Sequence, residues 1–135
     1  MSGGIIEKQI ITGFGDRHIF FETLKINPGI IVVFFHADWC GPCKKIAPIV
    51  ENFFATSPNN VLCADIDADE SFDLYAFLKH QKMINGIPVI LMYKKGNISY
   101  IPDDSVTGSD LVQLDSFFKR CVYNLQNIEK EELNV

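Results

Sequence analysis

Two periodicities alternate along the chain. Apolar residues at Ile19, Phe20, Leu24 and Ile26 recur at nearly helical spacing, and Asp16 stands where an N-cap belongs. Asn27-Pro28-Gly29 then signals a turn. Residues 30–35 form a continuous β-branched and aromatic run. Apolar side chains on both faces predict a central strand covered on both sides. From about 42 to 54 the spacing is helical again, with Ile46, Ile49, Val50, Phe53 and Phe54 as the inward stripe. Pro48 lies inside that helix and is expected to kink it. After a turn at Ser57-Pro58-Asn59-Asn60, residues 61–67 read as a second buried strand. A helix over about 70–82 follows, with Phe72, Leu74, Tyr75, Phe77 and Leu78 as its apolar positions.

The remaining third predicts a strand over 89–94 opened by Pro88, then a tight turn at Lys95-Gly96-Asn97. A return strand over 98–101 is expected, ended by Pro102-Asp103-Asp104. The last helix is placed over about 109–125, with Ser109 as its cap and Leu111, Leu114, Phe117, Phe118, Val122 and Leu125 facing inward. Residues 129–135 read as a charged tail that frays. At the other end, residues 1–15 are irregular. Ile5, Ile6, Ile10, Ile11 and Thr12 predict only a short edge strand around 9–12, broken by Gly13 and Gly15. Strands alternating with helices, then a closing hairpin, predict an α/β fold. Its mixed sheet has about five strands, with about four helices on its two faces.

Composition narrows the class. The chain has 135 residues, 47% hydrophobic and 21% charged, which fits one globular domain over 1–135 and not a disordered chain. A formal net charge of −5 supplies no basic face, so no nucleic-acid partner is expected. No apolar run approaches the roughly 20 residues of a membrane helix. The stretch from Met1 to Lys8 lacks a basic region followed by an apolar one, so no secretory signal is expected. A monomer in the reducing cytoplasm is the expectation. The four cysteines comprise one close pair, Cys40 and Cys43, and two singletons, which reads as redox chemistry more than a secreted disulfide framework.

The pair sits where strand, turn and helix meet. The thiolate, not the thiol, is the nucleophile. A helix N-terminus offers unpaired N–H groups and partial positive charge, which favour an anion. Cys40, at the exposed end of the helix, is the expected attacking thiol, and Cys43, one turn in, the resolving one. Pro42 suits a first turn, where its missing N–H is not needed. Gly41 permits a tight turn and close approach of another chain. A static disulfide or half of a zinc site is the alternative. Zinc usually takes four ligands, and no second Cys-x-x-Cys is present, so no metal is expected.

Trp39-Cys40-Gly41-Pro42-Cys43-Lys44 resembles the active site of the thioredoxin family. The resemblance extends to Lys45-Ile46-Ala47-Pro48, Asp65-Ile66-Asp67, Gly86-Ile87-Pro88-Val89 and Tyr93-Lys94-Lys95-Gly96-Asn97, and covers about residues 16–126. It implies a thioredoxin-like fold and reduction of protein disulfides by the dithiol. It also implies an upstream thioredoxin-reductase-like donor and no bound organic cofactor. It further implies a cis Ile87–Pro88 bond against the cysteines, leaving the Ile87 backbone free for an extended substrate. Trp39 becomes an apolar surface beside the thiols, and Gly108 completes the substrate-contacting patch with Gly41, Pro42 and Ile87. Disulfide oxidation or isomerisation, or non-catalytic binding through the same patch, are the rival readings.

Several residues depart from the family pattern. Phe34 and Cys63 stand where thioredoxins usually carry a buried Asp and its accompanying Lys. His36, on the same strand face as Phe34, is a candidate proton acceptor because histidine changes charge near neutral pH. Asp67 could orient it. The competing reading makes His36 a replacement for an aromatic packing residue. The segment over 68–86 is longer than in compact family members and reads as an extended helix and loop. Cys63 reads as a buried small hydrophobe, and Cys121 as a partly exposed residue of the last helix, with regulatory oxidation as the lesser alternative. His18 and His80 carry no motif. Asp65, Asp67, Asp69, Glu70, Asp103 and Asp104 lack calcium-loop spacing and read as caps and solvated loops.

Overall fold

The computed structural model describes residues 8–134. In chain order the elements are β1 (Ile10–Ile11), α1 (Arg17–Lys25), β2 (Ile30–His36), α2 (Gly41–Thr56), β3 (Val61–Asp67), α3 (Phe72–His80), β4 (Val89–Lys94), β5 (Asp104–Thr107) and α4 (Leu111–Leu133). The sheet order is β1-β3-β2-β4-β5. Strands β1, β3 and β2 run parallel, while β4 is antiparallel to β2 and β5 to β4.

The central strand explains the layering. Ile30, Val32 and Phe34 pack on one face with Ile46, Val50 and Phe54 of α2 and Leu114 and Phe117 of α4. Ile31, Val33 and Phe35 pack on the other with Phe20 and Leu24 of α1 and Leu74 and Leu78 of α3. An unbroken apolar run thus becomes a strand buried on both faces, because successive side chains alternate between two helical layers. Helix α2 continues through Pro48 without a break.

The local signals hold in part. Asp16 caps α1, accepting from the N–H groups of His18 and Ile19 at 2.8 and 3.1 Å. Helix α4 is capped by Asp110, not Ser109; its carboxylate accepts from Val112 and Gln113. The expected fraying at 129 does not occur. Glu129 accepts from Asn60, Glu132 pairs with Lys95 at 2.7 Å, and α4 runs to Leu133. Leu111 and Val122 are exposed, and Cys121 is fully buried, not partly exposed. Residue 122 stands about a fifth of a turn from the centre of the stripe of Leu114, Phe118, Cys121 and Leu125. Ile49 and Phe72 likewise point outward, as do Ile19 and Ile26 of the first helical stretch.

The return strand lies later in the chain than the hairpin pattern predicts. Residues 98–101 form no strand; the strand is Asp104–Thr107, so Asp104 starts an element that it was expected to follow. Asn97 donates to the Ile101 carbonyl and to Asp103, and Asp103 accepts from the Lys94 N–H at 2.7 Å. These side-chain bonds hold the chain in a loop with Ile98 and Ile101 exposed, and Pro102 offers no ladder N–H. At the opposite edge, β1 is shorter than expected and pairs Ile10 and Ile11 with Cys63 and Ala64. Ile5 and Ile6 lie outside the described residues.

The long 68–86 segment is fastened to α1. Arg17 reaches Asp73 through a side-chain fork at 2.8 and 3.1 Å and through its own N–H at 2.7 Å. Helix α3 is shorter than the 70–82 expected, because the Asp67 carboxylate holds the Asp69 and Glu70 N–H groups in a preceding turn.

Two outcomes follow. The Gly29 carbonyl accepts from the Lys95 N–H, and a Cβ on Gly29 falls 2.5 Å from the Asn60 carbonyl oxygen and 2.8 Å from a Leu125 methyl. Gly29→Ala therefore costs about 1–3 kcal/mol in chemical denaturation; an unchanged midpoint contradicts this packing. The Arg17 hydrogen bonds hold the Asp73 carboxyl down at about 2, below its ordinary 3.8. A depressed acid stabilises above its unfolded value and loses that contribution as pH falls. Asp73→Asn should lower the melting temperature at pH 7, with the deficit shrinking between pH 3.8 and about 2.

Candidate active site

Strand β2 delivers the chain to α2 through a short link over 37–40. Cys40 is the N-cap of α2, in extended conformation at φ −90° and ψ 104°. Its N–H bonds the Ala37 carbonyl at 3.1 Å, and its sulfur accepts the Cys43 N–H at 3.2 Å. Cys43 lies inside the first turn, and the two are joined as a disulfide with Cα atoms 5.3 Å apart. The helix therefore offers a backbone donor to one sulfur, that of Cys40. Pro42 occupies the first turn. Gly41 opens the helix, and a Cβ there meets nothing within 4 Å. Its surroundings are open, and packing does not demand a glycine.

Cys40 is 4% exposed and Cys43 2%, so neither is the open thiol expected of Cys40. Ala37 and Ile87 pack around both. The Ile87–Pro88 bond is cis. The Pro88 carbonyl accepts from the Gly108 N–H at 2.9 Å, and Gly108 sits at φ +93°, a region that favours glycine. Ile87, Pro88 and Gly108 thus form one connected edge beside the cysteines. Trp39 is 71% exposed, with its indole N–H donating to Asp69 at 2.9 Å. It is a surface platform and not a core residue.

Behind Cys43 lies a pocket of about 100 Å³ lined by Phe34, His36, Cys43, Glu51 and Asp65, among others. His36 Nε2 is hydrogen-bonded to Asp65. Asp67, the expected partner, instead accepts from the Asp69 and Glu70 N–H groups. The parallel register sets His36 against Asp67 and Phe34 against Asp65. All four share a face, and the imidazole reaches back two register positions to Asp65. Asp65 was thus missed, although its alternation with Cys63 and Asp67 already put it on that face. Phe34 packs at 5.0 Å from the His36 ring, so the aromatic-packing reading also has a physical basis.

The other candidates lie elsewhere. Cys63 contacts the Ser57 hydroxyl, and burial pushes its thiol up. Cys121 is pushed up to about 12 by burial and by the Asp104 charge. His18 packs on Phe21, and His80 ends α3. Among the described residues no group of three or more His, Cys, Asp and Glu is placed to hold a metal ion. No helix of the described residues is long and apolar enough to cross a membrane. A larger hollow of about 320 Å³ opens beside Ile30, Phe53, Val61 and Leu125. It lies at the opposite end of β2 from the cysteines and holds none of this chemistry.

A close cysteine pair joined as a disulfide at a strand–helix junction, beside a cis-proline edge, defines the class. Residues 15–120 match the family model for thioredoxin. The chain is 34% identical over 109 residues to the mitochondrial thioredoxin of Mus musculus, covering 81% of this chain and 58% of that protein. It therefore spans little more than half the length of that relative. It is 31% identical over 101 residues to the thioredoxin of Coprinus comatus, covering 74% of this chain and 88% of that one. The X-ray structure of Fasciola hepatica thioredoxin matches with a TM-score of 0.64 at 27% identity, covering 82% of this chain and 98% of that one. The chain belongs to the thioredoxin family.

The burial of Cys121 sets a simple expectation. In the reduced, native protein at pH 8, iodoacetamide should leave Cys121 unmodified in peptide mapping, while denaturant should expose all four cysteines. Native modification of Cys121 at the rate of free cysteine contradicts its placement.

Proposed function

We propose that the protein is a dithiol reductant of protein disulfides. The observation that carries this reading is the position of Cys40. It caps α2 with its sulfur on a backbone N–H, and Cys43 stands one turn behind within bonding distance. As a thiolate, Cys40 attacks a substrate sulfur, and one substrate thiolate leaves. The Cys43 thiolate then attacks Cys40, forming the Cys40–Cys43 bond and breaking the mixed disulfide. Two electrons pass to the substrate, and the cysteines end oxidised. No organic cofactor is needed, since the sulfur pair carries the electrons. An upstream thioredoxin-reductase-like protein restores the dithiol.

The substrate surface in this reading is Trp39, Gly41, Pro42, Ile87, Pro88 and Gly108. Its exposed indole and connected cis-proline edge flank the sulfurs and suit an extended peptide carrying a disulfide. The protein acts as a monomer in a reducing compartment, which we place in the cytoplasm. Subcellular fractionation that finds it in the mitochondrial matrix overturns that placement alone.

Cys43→Ser removes the resolving thiol. It should abolish insulin reduction with dithiothreitol and leave target proteins covalently held on Cys40. Cys40→Ser should hold none. Equal trapping by both variants, or a wild-type protein inert toward insulin, overturns the reading. A redox potential in the range of disulfide oxidants would instead favour the oxidase or isomerase role.

A further inference from the structure

The two thiols are served unequally. Cys40 has the helix N-terminus and the Cys43 N–H. The sulfur of Cys43, inside the first turn and 2% exposed, receives no hydrogen bond from another described residue. Resolution nevertheless requires Cys43 to lose a proton, because the thiolate is the attacking species. Some group must accept it.

The same pocket contains one. It has a volume of about 100 Å³, enough for several waters, and Cys43 and His36 both line it. The neighbouring residue on β2, Phe34, has no proton chemistry. The other charged groups facing this pocket are Asp38 before α2, Lys44 and Glu51 on α2, and Asp65 on β3. Asp67 shares the β3 face but is engaged by the Asp69 and Glu70 N–H groups. Asp65 is hydrogen-bonded to His36 Nε2. A carboxylate there keeps the proton on that nitrogen, leaves Nδ1 as the acceptor, and offsets the charge of the imidazolium once it forms.

We propose that His36, positioned by Asp65, accepts the Cys43 proton through pocket water during resolution of the mixed disulfide. This rests on the dithiol-reductant reading. The balance is complete. The Cys43 proton passes through water to His36, and the Cys43 thiolate bonds to Cys40. The Cys40–substrate bond breaks, and the departing substrate thiolate takes a proton from the solvent, to which His36 returns its own. Asp65 touches no reacting atom and is a positioning residue.

The test is single-turnover, stopped-flow reduction of dithiobis(nitrobenzoate) by the reduced protein. One nitrothiobenzoate is released when Cys40 attacks and a second when Cys43 resolves. In His36→Phe the first release should keep its rate, and the second should slow about tenfold or more at pH 7. The slowed second phase should keep rising with pH where the wild-type rate has levelled. His36→Ala should recover the second phase with added imidazole, which a packing role does not produce. Asp65→Asn, close in shape to the native residue, should slow the second phase alone. Near-UV circular dichroism checks that each variant is folded. Wild-type second phases in both His36→Phe and Asp65→Asn, or equal slowing of both phases without imidazole rescue, overturn the relay. A second release that persists in Cys43→Ser overturns the dithiol reading itself, and the relay with it.

Discussion

Strand β2 carries six consecutive side chains, Ile30 to Phe35, each no more than 2% exposed. The rest of the molecule is arranged to keep them dry. Burying each is worth roughly 1.5–3 kcal/mol. Six therefore contribute on the order of 10 kcal/mol gross, as much as the whole net stability of a typical domain, about 5–15 kcal/mol. That demand fixes α2 and α4 on one face and α1 and α3 on the other. It also fixes parallel β3 and antiparallel β4 as the flanking strands. The site is a consequence. A strand that cannot slip ends at His36, and the next few residues set Cys40 at the start of α2.

Electrostatics divides the labour between the two sulfurs. Cys40 stands at the positive end of a helix, where backbone donors stabilise negative charge without reorganisation. Cys43 packs with Ala37 and Ile87 and lines the pocket that holds His36 and Asp65. With Phe34 contributing only packing, the polar groups lining the pocket behind Cys43 are His36, Lys44 and the carboxylates of Asp38, Glu51 and Asp65. Beside the sulfurs the surface is apolar and backbone-rich, with the exposed Trp39 indole and the Ile87–Pro88–Gly108 edge. In the proposed reading it receives an extended chain without demanding one sequence.

Much of this was legible because burial on two faces writes itself as an uninterrupted apolar run. Strands over 61–67 and 89–94 were readable for the same reason, and the Cys-Gly-Pro-Cys string marked its own helix. The return strand was not legible. Ile98 and Ile101 have the propensity for strand, but the hydrogen bonds of Asn97 and Asp103 decide the loop, and they depend on contacts with Lys94 and Ile101 that periodicity does not encode. The partner of His36 lies two register positions from the residue that strand pairing suggests: the paired residue is Asp67, while the side chain reaches Asp65. The burial of Cys121 could have been read. It falls on the stripe of Leu114, Phe118 and Leu125, and Val122 was placed there in its stead. The cap of α4 differs by one residue: Asp110 follows Ser109 directly, and both are good caps by residue type.

In the proposed reaction the α2 N-terminus makes the sulfur of Cys40, and not that of Cys43, the first nucleophile. The direct measurement is the rate of iodoacetamide alkylation at each position in the fully reduced protein across pH, followed by mass spectrometry. Cys40 should react alone at first, and at acidic pH much faster than free cysteine. Equal reaction of both thiols, each following the pH dependence of free cysteine, would contradict the account.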